Sequence, residues 1–171
     1  MTQQLKIYNS KEIKHVRELL TQQYGYTGKL DVVFMLSEKK QRLYIFTKDL
    51  ASVNIEKLRI DSMGLYFGTF YEDMLRLTIE GTQLLGKECT NNIIEVNKTE
   101  MQQWMQGEKL LLNELEQKPQ KIPEGFVILR HGNDYLGCGK MGGDTILNYV
   151  PKTRYIHALY DEVADGKKAE E

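Results

Sequence analysis

The sequence predicts an α+β chain: a helix-and-hairpin N-terminal half followed by a half that is mostly β. Three observations carry this. An amphipathic helix near the N-terminus is announced by Asn9 and Glu12, spaced as a capping box. Two pairs of apolar runs are joined by short polar connections, the pattern of hairpins. From Phe126 to Val150, three β-prone runs are separated only by Gly132-Asn133 and Gly142-Gly143, and Pro151 ends the series.

Taken in order, residues 5–8 alternate as a short strand. Ile13, Val16, Leu19, Leu20 and Tyr24 recur at helical spacing, so residues 10–23 form a helix with one apolar face, and Gly25 and Gly28 bracket the turn after it. Residues 30–36 and 42–46 pair as a hairpin across Ser-Glu-Lys-Lys-Gln, and residues 48–53 read as a short helix capped by Thr47. The aromatic run 65–70 and the alternating run 75–79 form a second hairpin, and residues 80–85 make a helical turn ending at Gly86. Residues 93–96 are a strand. Asn97 and Glu100 then repeat the capping box, with Met101, Trp104 and Met105 on one helix face up to Gly107. Pro119 and Pro123 make residues 114–123 a loop, since proline lacks the N–H donor and fixes φ. Residues 126–130, 135–141 and 145–150 are the three strands. Tyr155, Ile156, Ala158 and Leu159 form a last apolar patch, and the end of the chain frays. The change of character falls near residues 86–92.

Composition narrows the function classes. With 41% hydrophobic residues in 171, the chain can bury a core. Twenty-three Lys+Arg against 24 Asp+Glu leave a net charge of -1, so no global electrostatic case for nucleic acid exists. The charge is uneven, however. Lys121, Arg130, Lys140, Lys152 and Arg154 outnumber Glu124, Asp134 and Asp144 over residues 121–160, and an acidic tail follows. Cys89 and Cys138 are too few for a disulfide framework, which points to a reduced, cytoplasmic setting. No signal peptide or membrane segment is expected, because no run approaches about 18 apolar residues. Asn97-Lys98-Thr99 is read as a helix cap rather than a glycosylation site.

Gly137-Cys138-Gly139-Lys140-Met141-Gly142 matches the GxGxxG of dinucleotide-binding loops. Such a loop must open a helix whose N-terminus receives the pyrophosphate. Here a β-branched run ended by Pro151 follows instead, so the glycines are assigned to strand packing and a turn. Gly139-Lys140 lacks the Walker spacing. His15, His131 and His157 have no metal-ligand spacing, and Cys138 sits among apolar residues and glycines as a structural thiol. No catalytic residue, metal site or cofactor is expected, so the chain reads as a non-enzyme.

The segment Phe-Val-Ile-Leu-Arg-His-Gly-Asn-Asp-Tyr-Leu-Gly-Cys-Gly-Lys-Met-Gly-Gly-Asp-Thr-Ile-Leu-Asn-Tyr-Val-Pro-Lys-Thr-Arg-Tyr-Ile resembles a PUA domain, the small RNA-binding pseudo-barrel. Upstream, Gly64-Leu65-Tyr66-Phe67-Gly68 and Leu75-Arg76-Leu77-Thr78-Ile79-Glu80-Gly81 resemble the hairpin before that domain in two groups. One is the small archaeal and eukaryotic PUA factor of large-subunit ribosome biogenesis, whose length this chain shares. The other is the C-terminal region of RsmF-type rRNA cytosine-5 methyltransferases. The resemblance covers residues 60–156 with specific strings and implies a pre-PUA α/β domain over 1–88, a PUA-like β-barrel over 89–160 and a disordered acidic tail over 161–171. It implies RNA binding without chemistry. No SAM-binding βαβ unit is apparent, and neither cysteine follows a proline as in the methyltransferases.

The site expected on this reading is Lys152 and Arg154, just after Pro151, then Arg130 and His131, with Lys140 and Lys121 as further phosphate contacts and Tyr155 as a stacking ring. Tyr135 and Tyr149 are further stacking candidates, against the alternative that barrel tyrosines serve as core or rim. The resulting expectation is a non-catalytic accessory factor in rRNA maturation or RNA modification. It binds rRNA, with tRNA as the other candidate, and docks a protein partner through its N-terminal domain. The alternative is a protein-interaction module, using the aromatic hairpin and first helix, for which RNA contact is incidental.

Overall fold

The computed structural model of the protein describes residues 5–49 and 64–156. The helix expected over 48–53 lies mostly outside them. His157, Ala158, Leu159 and the acidic tail lie wholly outside.

The first sheet is an antiparallel meander of β1 (Leu5–Ile7), β2 (Val33–Ser37), β3 (Arg42–Phe46), β4 (Leu65–Tyr71) and β5 (Met74–Leu77), paired in that order. Helix α1 (Ser10–Tyr24) buries Val16, Leu19, Leu20 and Tyr24. Its start is set by the anticipated capping box: Asn9 Oδ1 accepts from the Glu12 amide at 3.1 Å, and the Glu12 carboxylate accepts from the Asn9 amide at 2.9 Å. It ends at Gly25, in the left-handed region at φ 63°.

Helix α2 (Ile79–Leu85) starts earlier than the alternation suggested. The strand expected to run to residue 79 stops at Leu77, because the Thr78 hydroxyl accepts from the Gly81 amide at 3.1 Å and caps a helix instead. Helix α3 (Lys98–Met105) has the second capping box, through Asn97 and Glu100. The second sheet contains β6 (Ile93–Glu95), β7 (Leu110–Leu111), β8 (Phe126–His131), β9 (Asp134–Gly142) and β10 (Thr145–Asn148), in the order β6-β8-β9-β10-β7. β6 runs parallel to β8, and the other pairs are antiparallel. The periodicity gave no sign of two-residue β7. β10 stops at Asn148, short of the expected Val150, because the Val150 amide donates to Asn148 Oδ1 at 2.8 Å instead of to the ladder, while Asn148 Nδ2 donates to the Trp104 and Glu108 carbonyls at 2.7 and 3.0 Å.

The two halves share one core. Val16, Leu20, Tyr24, Phe34, Leu43 and Phe67 pack in one cluster with Phe126, Ile128, Tyr135 and Cys138 of the second sheet. A second cluster, centred on Trp104, lies between α3 and the far face of the second sheet. Fully buried Tyr24 joins the halves: its hydroxyl donates to the Leu75 carbonyl at 2.7 Å and lies 3.7 Å from Cys138 Sγ. The GxGxxG segment lies along β9, with no helix after it. Gly137, at φ 92°, lets β9 pass α2, where an added Cβ would sit 3.0 Å from the Ile79 side chain. Both cysteines are buried, which pushes the Cys89 thiol up to about 12 and the Cys138 thiol up to about 11.

Tyr24→Phe removes a buried hydrogen bond and leaves the Leu75 carbonyl unpaired. Urea unfolding is expected to show a loss of about 1–3 kcal/mol. Gly137→Ala, strained at positive φ, is expected to cost a comparable ~1–3 kcal/mol. The raised thiols set a pH dependence. Between pH 9, the ordinary thiol value, and about 11, the unfolded chain releases thiol protons that the folded chain keeps. Stability therefore falls as pH rises through this window. A Cys89→Ser/Cys138→Ser variant is expected to show a shallower fall, read from urea midpoints across that range.

Candidate nucleic-acid interface

The seven residues singled out in the sequence occupy separate settings. Lys152 and Arg154 lie exposed in a single 3-10 turn that Pro151 starts: the Arg154 amide donates to the Pro151 carbonyl at 2.8 Å. Arg154 pairs with Glu80 at the start of α2. Tyr155 packs on the second core cluster, its ring lying over Gly107, while the Ile156 amide donates to the Met105 carbonyl at 2.9 Å. This places Tyr155 in a structural contact that fastens the segment to the end of α3.

Arg130 and His131 are engaged in holding β6 to β8. Arg130 Nε donates to Glu95 at 2.6 Å, and the same carboxylate accepts from the Gly132 amide at 2.7 Å. The bond to Glu95 raises the guanidinium's pKa still further above its ordinary value. His131 Nδ1 donates to the Val96 carbonyl at 2.8 Å. Lys121 stands apart, on the wall of a cavity of about 540 Å³ with Gln22, Gln23, Asn91, Asn92 and Glu124.

Lys140 belongs to a different grouping. Its ammonium lies 5.6 Å from the centre of the Phe126 ring. Phe126 meets Tyr71 and Tyr149 at centroid distances of 5.4 and 5.7 Å. Those two tyrosines form a corner against Arg76, whose guanidinium lies 5.4 and 5.3 Å from their ring centres. Lys140 and Arg76 thus stand at the two ends of a strip of three mutually touching rings, Phe126, Tyr71 and Tyr149, across the seam between the sheets. At its Arg76 end opens a cavity of about 230 Å³, lined by Tyr66, Arg76, Glu80, Tyr149 and Arg154 among others.

Sequence reasoning had placed no site residue in the first half, so it missed Arg76 and Tyr71. A signal was present. In Leu75-Arg76-Leu77 the two leucines are buried, and strict alternation turns Arg76 to the opposite face. That face meets the second sheet only after folding. Part of the expected aromatic surface on β4 is turned inward, since Phe67 is fully buried, whereas Tyr71 is exposed.

Such an arrangement can bind an anionic polymer: guanidinium and ammonium groups neutralise phosphates, and rings offer stacking faces. Among the described residues, no group of three His, Cys, Asp or Glu side chains converges to hold a metal ion. No helix of the described residues is long and apolar enough to cross a membrane.

Residues 91–156 match the family model of the methyltransferase RsmF PUA domain. A ribosomal RNA small subunit methyltransferase F of Aeromonas salmonicida (strain A449) is 26% identical over 96 residues, which is 56% of this chain and 19% of that protein. The chain thus spans about a fifth of the length of the curated relative it matches. Among solved structures, a hypothetical protein of the hyperthermophilic archaeon Pyrococcus horikoshii OT3 shares the fold across both halves. Its TM-score is 0.55 at 14% identity, covering 89% of this chain and 86% of that one. With the β-rich sheet of residues 93–148 in place and the family match lying on it, residues 91–156 are similar to the PUA domain of the methyltransferase RsmF.

Proposed function

We propose that the protein is a non-catalytic RNA-binding accessory factor of rRNA maturation or modification, acting in the cytoplasm through its PUA domain. The observation that carries this is the match of residues 91–156 to the PUA domain of an rRNA methyltransferase family. The described geometry supports it with exposed Lys152 and Arg154 beside a cation–ring strip. A passive chemistry is favoured by the thiols. Both are buried and protonated at neutral pH, which suits packing and not nucleophilic attack. The domain layout we propose is a pre-PUA unit over residues 1–88 and a PUA unit over 89–160, followed by the acidic tail.

Lys152 and Arg154 are the first phosphate contacts in this reading, and Lys140 adds a third. Arg130, His131 and Tyr155 act chiefly by positioning the strand and turn that present them.

The test is binding of the full chain to rRNA fragments by fluorescence anisotropy at several salt concentrations. Affinity is expected to fall steeply with salt, with log K linear in log salt. A Lys152→Ala/Arg154→Ala variant is expected to bind about 10-fold or more weakly and to reduce the salt slope by about 2. Its unfolding midpoint is expected to stay near that of the unsubstituted chain, because the Arg154–Glu80 pair is half exposed and contributes no more than ~1 kcal/mol. Salt-independent binding, or full affinity in the variant, would refute this assignment.

A further inference from the structure

We propose that the cleft between the two sheets, lined by Arg76 and Arg154, binds a phosphate group of the RNA, with Arg76 as its principal ligand. This rests on the RNA-binding reading above and names a contact in the half of the chain outside the family match.

Arg76 carries the argument. It is half-buried on β5, and among the described residues no carboxylate pairs with it. A desolvated cation without a counter-ion is costly, and proteins ordinarily supply one. Here the guanidinium lies against both Tyr71 and Tyr149, whose rings meet edge to face with centroids 6.3 Å apart. The in-plane donors are nearly unspent: Nη2 makes two long contacts, to the Tyr66 hydroxyl at 3.4 Å and the Thr69 hydroxyl at 3.5 Å. The corner formed by the two rings orients the guanidinium without using the N–H fork. A guanidinium held in this way has already lost the rotamer freedom that binding would otherwise remove. Its fork suits a tetrahedral oxyanion, which accepts two parallel N–H bonds.

The cleft supplies a second cation. Arg154 lines it and is held there by Glu80. An entering phosphate meets two guanidiniums and one carboxylate, so the site is net positive, and Glu80 opposes the ligand. Glu80 thereby becomes a residue whose neutralisation strengthens binding. Arg154 is shared with the C-terminal turn, so the cleft continues the Lys152–Arg154 surface toward Tyr149 and Arg76. The adjoining aromatic wall, Tyr66 and Tyr149, favours a nucleotide phosphate over a free inorganic anion.

The experiment measures affinity of the full chain for a fluorescein-labelled rRNA hairpin, with unfolding midpoints as the folding control. Arg76→Met keeps an apolar stem against the rings and removes the fork. It is expected to weaken binding about 5- to 50-fold and to lower the salt slope by about 1. Glu80→Gln is expected to tighten binding about 2- to 5-fold, the scale of one local charge repulsion near a surface. This opposite sign keeps the test decisive if Arg76→Met proves unstable. The same hairpin with a 5′-phosphate or a 5′-hydroxyl distinguishes the source: equal affinity assigns an internal phosphodiester, and tighter binding of the phosphorylated end assigns the chain terminus. Unchanged affinity in both Arg76→Met and Glu80→Gln, with Lys152→Ala/Arg154→Ala still weakened, overturns the cleft and leaves the RNA reading intact. Absence of RNA binding by the unsubstituted chain overturns both.

Discussion

The seam between the two sheets governs the molecule, and Tyr24 is its pin. The side chain is fully buried at the end of α1, and its hydroxyl has no solvent to fall back on. It therefore needs a protein partner, and it finds one in the Leu75 carbonyl of β5, beside Cys138 of β9. Next to it Gln23 accepts from the Leu75 amide at 2.8 Å. The Tyr24 carbonyl accepts from the Thr90 and Asn91 amides at 2.9 and 3.0 Å, on the segment that leads into the second sheet. One helix terminus thus satisfies the edge of β5 and anchors the crossover between the halves.

That pin places β5 against β8 and β9, and the cleft between the sheets follows. Arg76 lies between Leu75 and Leu77, the two buried leucines of β5. With those held against the shared core, Arg76 turns to the opposite face of β5, where it lies against Tyr71 and Tyr149. α2 completes the arrangement. The Thr82 hydroxyl accepts from the Gly137 amide at 3.2 Å, which locks the helix on β9, and Glu80 at its start reaches Arg154. The cleft is thus a by-product of how two sheets and a short helix close on each other.

Local features were readable in advance. Both capping boxes, at Asn9 and Asn97, appear as expected, because a cap is a contact between residues three apart and needs nothing from the rest of the chain. The hairpins β2–β3, β4–β5, β8–β9 and β9–β10 were legible for the same reason. The glycine motif was correctly assigned to a strand, since the residues after it carry no helical period. Where local signals competed, reading failed. Residues 75–79 alternate cleanly, yet Thr78 caps a helix, and the choice was made by the buried contacts of Gly81, Thr82 and Leu85. Strand β7 exists only because Leu110 and Leu111 reach β10 across a long loop.

By itself the sequence determined the α+β class, the caps, the hairpins and the PUA resemblance of the second half, all set by short-range spacing or by strings of residues. Only the tertiary structure decided that the two halves share a core, that β6 joins β8 in parallel, and that Arg130 and His131 are spent on that junction. It also decided the cation–ring strip. Arg76 and Tyr149 are 73 positions apart, and no periodicity links them. Long-range contacts of this kind arise when buried surfaces choose their partners, and a linear pattern records which faces are apolar but not which face meets which.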